Sequence, residues 1–190
     1  HKIHCTNDKL ELKHDIVMLL GLSLPDFLRK YDKPNEENTD ITLIQDLVGT
    51  NGWSSFDDLF YVLNECDDYI VLRNSDNISL DYFQNNKGDI DLLVKDRNRC
   101  LYLLGDLSCI DTEKDNHAKV SIDNKVILFE LYEAGHNLFH ESYEKYLFDS
   151  KIMKGNIHCL PVELEFNTML YHALLFNSNL SDKHKNRVRE

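Results

Sequence analysis

Hydrophobic positions along the chain repeat with two different spacings, and segments of the two kinds alternate. Apolar residues three or four positions apart predict helices at 10–20, 56–66, 96–106, 139–149 and 162–177. Short runs rich in β-branched and aromatic residues predict strands at 69–73, 89–94, 118–122, 125–132 and 157–160. The predicted fold class is therefore α+β, with a mixed β-sheet flanked by helices. We expect the helices at 96–106 and 162–177 to pack on one side of that sheet.

The N-terminal quarter differs from the rest because its pattern is helical throughout. We predict a helical N-terminal extension over residues 1–55 and a main domain over residues 56–190. Within the extension, Asp40 is predicted to cap a helix at 41–48. Ser54 or Ser55 is predicted to cap the first helix of the main domain, and the polar segment 74–88 is predicted to be a loop.

Two carboxylates stand at the start of the apolar strand 89–94. Successive side chains of a strand point to opposite faces, so Asp89 and Asp91 share one face, roughly 6.6 Å apart along the strand. Like charges beside an apolar surface disfavour ionisation, and a divalent cation reverses that effect. The pair indicates either a Mg²⁺ or Mn²⁺ site or two acids that point into water.

A third acid lies on a later strand. Asp123 and Asn124 separate two alternating runs and predict a two-residue hairpin turn. On its second strand, Glu130 interrupts an otherwise apolar pattern, and an acid in that position is rarely left without a partner. Glu130 is therefore either part of a site or a side chain on a solvated sheet face.

Composition narrows the classes of partner. The chain has 21 basic and 33 acidic residues and a net charge of −12, which argues against long nucleic acid as a partner. No apolar run reaches the ~20 residues of a membrane span. Five cysteines without a CxxC pair favour reduced thiols and a cytoplasmic location. The first residue is His and the last segment is charged, so we expect further domains of a longer chain.

Four segments between residues 56 and 177 together resemble the nucleotidyltransferase-fold superfamily of DNA polymerase β. They are YIVLRN at 69–74, DIDLLV at 89–94, FEL at 129–131 and LPVELEFNTMLYHAL at 160–174. They are most similar to bacterial and viral nucleotidyltransferase-like domains with the pattern YVVLRN…DIDLLV.

The resemblance implies that Asp89, Asp91 and Glu130 are catalytic residues that hold Mg²⁺ (or Mn²⁺). It also implies that Arg73, Asn74 and Ser75 form the nucleotide-binding turn. The sequence departs from the superfamily at two of these positions. Glu130 replaces the usual Asp, and Arg73-Asn74-Ser75 replaces the usual Gly-Ser or Gly-Gly.

The expected activity is metal-dependent transfer of a nucleoside monophosphate, or a related phosphoryl unit, from a nucleoside triphosphate or other nucleotide-activated donor. The expected acceptor is a hydroxyl of a small molecule, sugar or glycan. Two other functions fit the same pattern. One is a phosphotransferase of the choline- or polyol-phosphate type. The other is a non-catalytic module that binds a nucleotide or partner within a multidomain glycan-assembly protein.

Overall fold

Six strands form one mixed sheet in a computed structural model that describes residues 6, 8–31, 46–86, 88–105, 116–136 and 138–176. The strand order is β3-β4-β2-β1-β6-β5. The pairs β2–β4 and β1–β6 are parallel, and the other three neighbouring pairs are antiparallel. The predicted α+β class with a mixed sheet is confirmed. The strands are β1 (Tyr69–Val71), β2 (Asp89–Val94), β3 (His117–Ile122), β4 (Lys125–Glu133), β5 (Ile152–Lys154) and β6 (Ile157–Cys159).

Seven α-helices lie within the described residues. They are α1 (Lys9–Leu20), α2 (Leu24–Tyr31), α3 (Phe56–Cys66), α4 (Leu80–Asn86), α5 (Arg97–Leu104), α6 (Glu141–Ser150) and α7 (Val162–Phe176). The predicted cap at Ser55 is confirmed, since its Oγ accepts the backbone N–H of Asp58 at 3.1 Å. The helix predicted at 41–48 falls mainly outside the described residues, and 46–48 are not helical. None of the described helices combines the length and the apolar character needed to cross a membrane.

Helices pack on both faces of the sheet. On one face, α5 adds Cys100 and Leu104 to a core with Ile90 and Leu92 of β2. On the other face, α7 packs next to a smaller core that includes Leu93. The prediction that the helices at 96–106 and 162–177 share one side is therefore wrong. The central strand β2 carries apolar residues on both faces, and each apolar face needs its own cover.

The hairpin turn predicted at Asp123 and Asn124 is confirmed. Both residues have positive φ, 49° and 59°, as a two-residue turn that matches the strand twist requires. The loop predicted at 74–88 is only partly correct because it contains α4. Phe83 of that helix is buried against Phe56 of α3, and this distant contact stabilises a helix that the local polar sequence does not indicate.

The half-buried acid Asp67, at the end of α3, makes stability depend on pH. Burial raises the pKa of Asp67 from 3.8 to about 6, against the opposing hydrogen bond from the backbone N–H of Asp68. Within the described residues, its Oδ2 is buried and accepts no hydrogen bond. The native state therefore binds this proton more tightly than the unfolded chain does. The contribution of Asp67 to stability falls as the pH rises from 3.8 to about 6.

We predict that Asp67→Asn raises the free energy of unfolding at about pH 7 and makes stability less dependent on pH between about 4 and 6. The asparagine cannot ionise, so it avoids the cost of a buried charge. Urea unfolding at several pH values measures the effect. Asp149→Asn, at an exposed position of α6, is the control. Its free energy of unfolding should depend on pH as that of wild type does. If the free energy of unfolding of Asp67→Asn depended on pH as strongly as that of wild type, the raised pKa of Asp67 would not be the cause.

Candidate functional site

The central feature of the site is an ion pair between Arg73, just after β1, and Asp91 of β2. Asp91 is only 2% exposed. Arg73 Nη2 donates to Asp91 Oδ1 at 2.7 Å, and Arg73 Nε donates to Asp91 Oδ2. Burial raises the pKa of Asp91 to about 6, Arg73 opposes that rise, and the charges of Asp89 and Glu130 add to it. Both oxygens of Asp91 are therefore held by one guanidinium.

The turn after Arg73 is also tied into the protein. Asn74 has φ 60° and ψ 24°, a left-handed conformation that asparagine tolerates better than most residues. Its backbone N–H donates to Oε1 of Glu165 in α7 at 2.7 Å. The hydroxyl of Ser75 hydrogen-bonds the thiol of Cys159, whose pKa is raised by burial. The backbone N–H that the resemblance assigns to a nucleotide is thus bonded to a carboxylate of α7.

A second group of side chains lies where β2, β4 and β3 run side by side. Asp91 is in register with Glu130 across β2–β4, and Glu130 is in register with His117 across β3–β4. Ligand atoms of Asp89, His117 and Glu130 all lie within 4.8 Å of one another, and all three residues are half-buried. One nitrogen and two carboxylate donors are a chemically suitable set for a divalent cation. The residues present therefore fit the implied metal.

The three predicted acids lie on β2 and β4, the strands on which the sequence predictions placed them. The structure brings Asp89 and Glu130 together as expected. It pairs Asp91 with Arg73 and adds His117, which the sequence analysis missed because the predicted strand began one residue later. The predicted hairpin turn was the signal in the sequence that could have placed His117 beside Glu130. A two-residue turn at 123–124 pairs residue 122 with 125, and therefore pairs residue 117 with 130.

Tyr132 and His172 complete the surroundings on the α7 side. Tyr132 hydrogen-bonds Glu130. Burial is the main reason why the pKa of the Tyr132 phenol is raised, and the Glu130 carboxylate raises it further. The His172 ring contacts the Tyr132 ring edge-on, with centroids 6.3 Å apart. A cavity beside Arg73 and Asp91 has a volume of about 20 Å³, enough for about one water molecule.

The other side of Glu130 is open. Val126 and Leu128 lie on the same face of β4 as Glu130 and are 66% and 37% exposed. A ligand at Asp89, His117 and Glu130 would therefore approach across the β3–β4 end of the sheet. Comparisons of the chain with family models, with curated proteins and with solved structures found no match.

We predict that Arg73→Met lowers the free energy of unfolding by ~3–5 kcal/mol, because it leaves the Asp91 carboxylate buried without its partner. The double variant Arg73→Met/Asp91→Leu should recover most of that loss, since no buried charge remains. Chemical denaturation of wild type, Arg73→Met, Asp91→Leu and the double variant measures these changes.

Arg29→Met is the matched control for this experiment. The Arg29 side chain is 80% exposed and pairs with Asp26 on the surface of α2, where an ion pair contributes ~0–1 kcal/mol. A double variant as unstable as the sum of its two single variants would show that the Arg73–Asp91 pair is not the reason for the loss.

Proposed function

We propose that the chain is a nucleotidyltransferase-like transferase that depends on a divalent cation. It moves a nucleoside monophosphate, or a related phosphoryl unit, from a nucleoside triphosphate or similar activated donor to a hydroxyl of a small molecule, sugar or glycan. One observation carries the proposal. Asp89 and Asp91 of β2 lie on the same sheet face as Glu130 of the parallel neighbour β4, and Asp91 is in register with Glu130.

Charge supports the need for a cation. Two carboxylates, Asp89 and Asp91, lie beside a single guanidinium, Arg73, and the charges of Asp89 and Glu130 both raise the pKa of Asp91. A divalent cation offsets the excess negative charge and draws the triphosphate of a donor to the same place. When bound, it would be held by Asp89 and Glu130, and it would stabilise the negative charge that develops on the phosphates.

The reaction proposed is an in-line displacement. The oxygen of the acceptor hydroxyl forms a bond to the α-phosphorus, the bond from that phosphorus to the bridging oxygen breaks, and pyrophosphate leaves. Glu130 lies at the open end of the sheet and accepts the hydroxyl proton, directly or through one water. Asp91 positions Arg73, whose Nη2 also lies 3.9 Å from Asp89 Oδ1, so the guanidinium is next to the acids that would receive the donor.

The acceptor class follows from charge and from the openness of the site. A net charge of −12 disfavours a polynucleotide acceptor, while the exposed face at Val126 and Leu128 has room for a small molecule or glycan. A cytoplasmic location belongs to the same proposal. It agrees with the buried free thiols of Cys66, Cys100 and Cys159, which a reducing compartment preserves.

A non-catalytic binding module is the second candidate, and two specific contacts favour it. Arg73 holds both oxygens of Asp91, and Glu165 accepts the backbone N–H of Asn74. Both groups are those that the superfamily resemblance assigns to metal and nucleotide. A module would bind a nucleotide or partner with these contacts kept and would not turn over a donor.

Slow hydrolysis tests the proposal without a known acceptor. The protein with Mg²⁺ or Mn²⁺ is incubated with each nucleoside triphosphate, and separately with CDP-alcohols, and the released monophosphate is measured. We expect a triphosphate to give nucleoside monophosphate and pyrophosphate. Glu130→Gln should reduce that rate by at least ~10²-fold, the usual effect of losing a general base.

Glu133→Gln, three residues further along β4 and on the opposite face, is the matched control and should keep the wild-type rate. Equal hydrolysis by wild type and Glu130→Gln would contradict the role of Glu130. Release of monophosphate from CDP-alcohols alone would favour the phosphotransferase of the choline- or polyol-phosphate type. Nucleotide binding with no hydrolysis of any donor would favour the binding module.

A further inference from the structure

We propose that His117 is a metal ligand, and that Asp89, His117 and Glu130 form a mixed nitrogen–oxygen site for a first-row transition-metal dication in preference to Mg²⁺. His117 stands opposite Glu130 in the antiparallel β3–β4 pair, and Asp89 comes from β2 on the other side of β4. Three adjacent strands thus each supply one donor to the same sheet face. Rigid strands hold donors more accurately than loops do.

Asp91 does not serve as the third ligand in this arrangement. It is 2% exposed, and both of its oxygens accept hydrogen bonds from Arg73. Recruiting it to an ion would leave the guanidinium of Arg73 half-buried without its carboxylate, and breaking such a pair is costly. His117 is half-buried, and its ring nitrogen lies within 4.8 Å of ligand atoms of Asp89 and Glu130, so it is placed to supply the third donor.

The distances suit an ion after small side-chain rotations. Two ligands on opposite sides of an ion, each at ~2.1 Å, lie ~4.2 Å apart. The three donor atoms here lie within 4.8 Å of one another. The partial exposure of all three residues leaves coordination positions for water or substrate, as in catalytic rather than structural metal sites.

The imidazole decides which class of metal the site prefers. Mg²⁺ takes oxygen ligands and keeps much of its water, whereas imidazole nitrogen suits transition metals. Replacing one carboxylate of an all-acid site by His117 therefore shifts the preference from Mg²⁺ towards Mn²⁺, Fe²⁺, Co²⁺ or Zn²⁺. The inference rests on the metal requirement of the proposed function, but it concerns binding and needs no turnover to be tested.

The first experiment uses the wild-type chain loaded with Mn²⁺ alone. Pulsed electron paramagnetic resonance detects a ¹⁴N nucleus bonded to Mn²⁺. We expect a nitrogen coupling that is lost in His117→Ala and kept in His136→Ala. His136 is the matched control because its exposed ring lies beside Glu133, past the C-terminal end of β4 and outside the three-residue group. Bound Mn²⁺ without nitrogen coupling in wild type would overturn the proposal, even if His117→Ala failed to fold.

The second experiment measures affinity and selectivity by calorimetric titration with Mn²⁺ and with Mg²⁺. His117→Ala should weaken Mn²⁺ binding by at least ~10-fold, since even residues that only orient a ligand contribute 10–100-fold. His117→Asp restores an all-oxygen site and should lower the ratio of Mn²⁺ to Mg²⁺ affinity. An unchanged Mn²⁺ affinity in His117→Ala would overturn the proposal.

The outcomes separate this inference from the proposed function. Nitrogen-coupled Mn²⁺ in a protein that hydrolyses no donor would support the His117 site and contradict the transferase. Donor hydrolysis with no nitrogen coupling and no effect of His117→Ala on Mn²⁺ binding would support the transferase and contradict the His117 site.

Discussion

A carboxylate buried in the central strand of the sheet is the constraint on which the site depends. Asp91 lies in β2 between β1 and β4, and an ionised acid there is tolerated only because Arg73 donates two hydrogen bonds to it. That pair ties the end of β1 to the start of β2. The left-handed turn at Asn74 comes directly after Arg73, and its backbone N–H donates to Glu165 of α7.

The division of the sheet into two faces determines where ligands have access. One face is buried under α1, α3 and α5. The other face is covered by α6 and α7, and along β4 this cover reaches Tyr132, whose ring contacts His172 of α7. Beyond Tyr132 the second face carries Glu130, Asp89 and His117 beside exposed apolar residues. Charged side chains are thus concentrated where the cover ends, because ionised groups retain their hydration there.

The two acids of β2, Asp89 and Asp91, lie in different surroundings. Asp91 is buried and holds Arg73, while Asp89 is half-buried and lies next to Glu130 and His117. Asp91 therefore fixes the position of the Arg73 guanidinium, and Asp89 is the acid that we propose binds a cation. A positive side chain beside the proposed cation site is a suitable combination for a phosphate-bearing ligand, since both attract the same oxygens.

Local sequence determined the elements with a clear period or a specific turn: β2, β4, the hairpin at Asp123 and Asn124, and the cap at Ser55. The hairpin also fixed the pairing of His117 with Glu130, because a two-residue turn leaves only one register. Only the tertiary structure decided that Arg73 pairs with Asp91, that Glu165 reaches Asn74, and that α5 and α7 cover opposite faces. These contacts join residues far apart in the chain, and neither periodicity nor turn chemistry specifies which distant groups meet when the core closes.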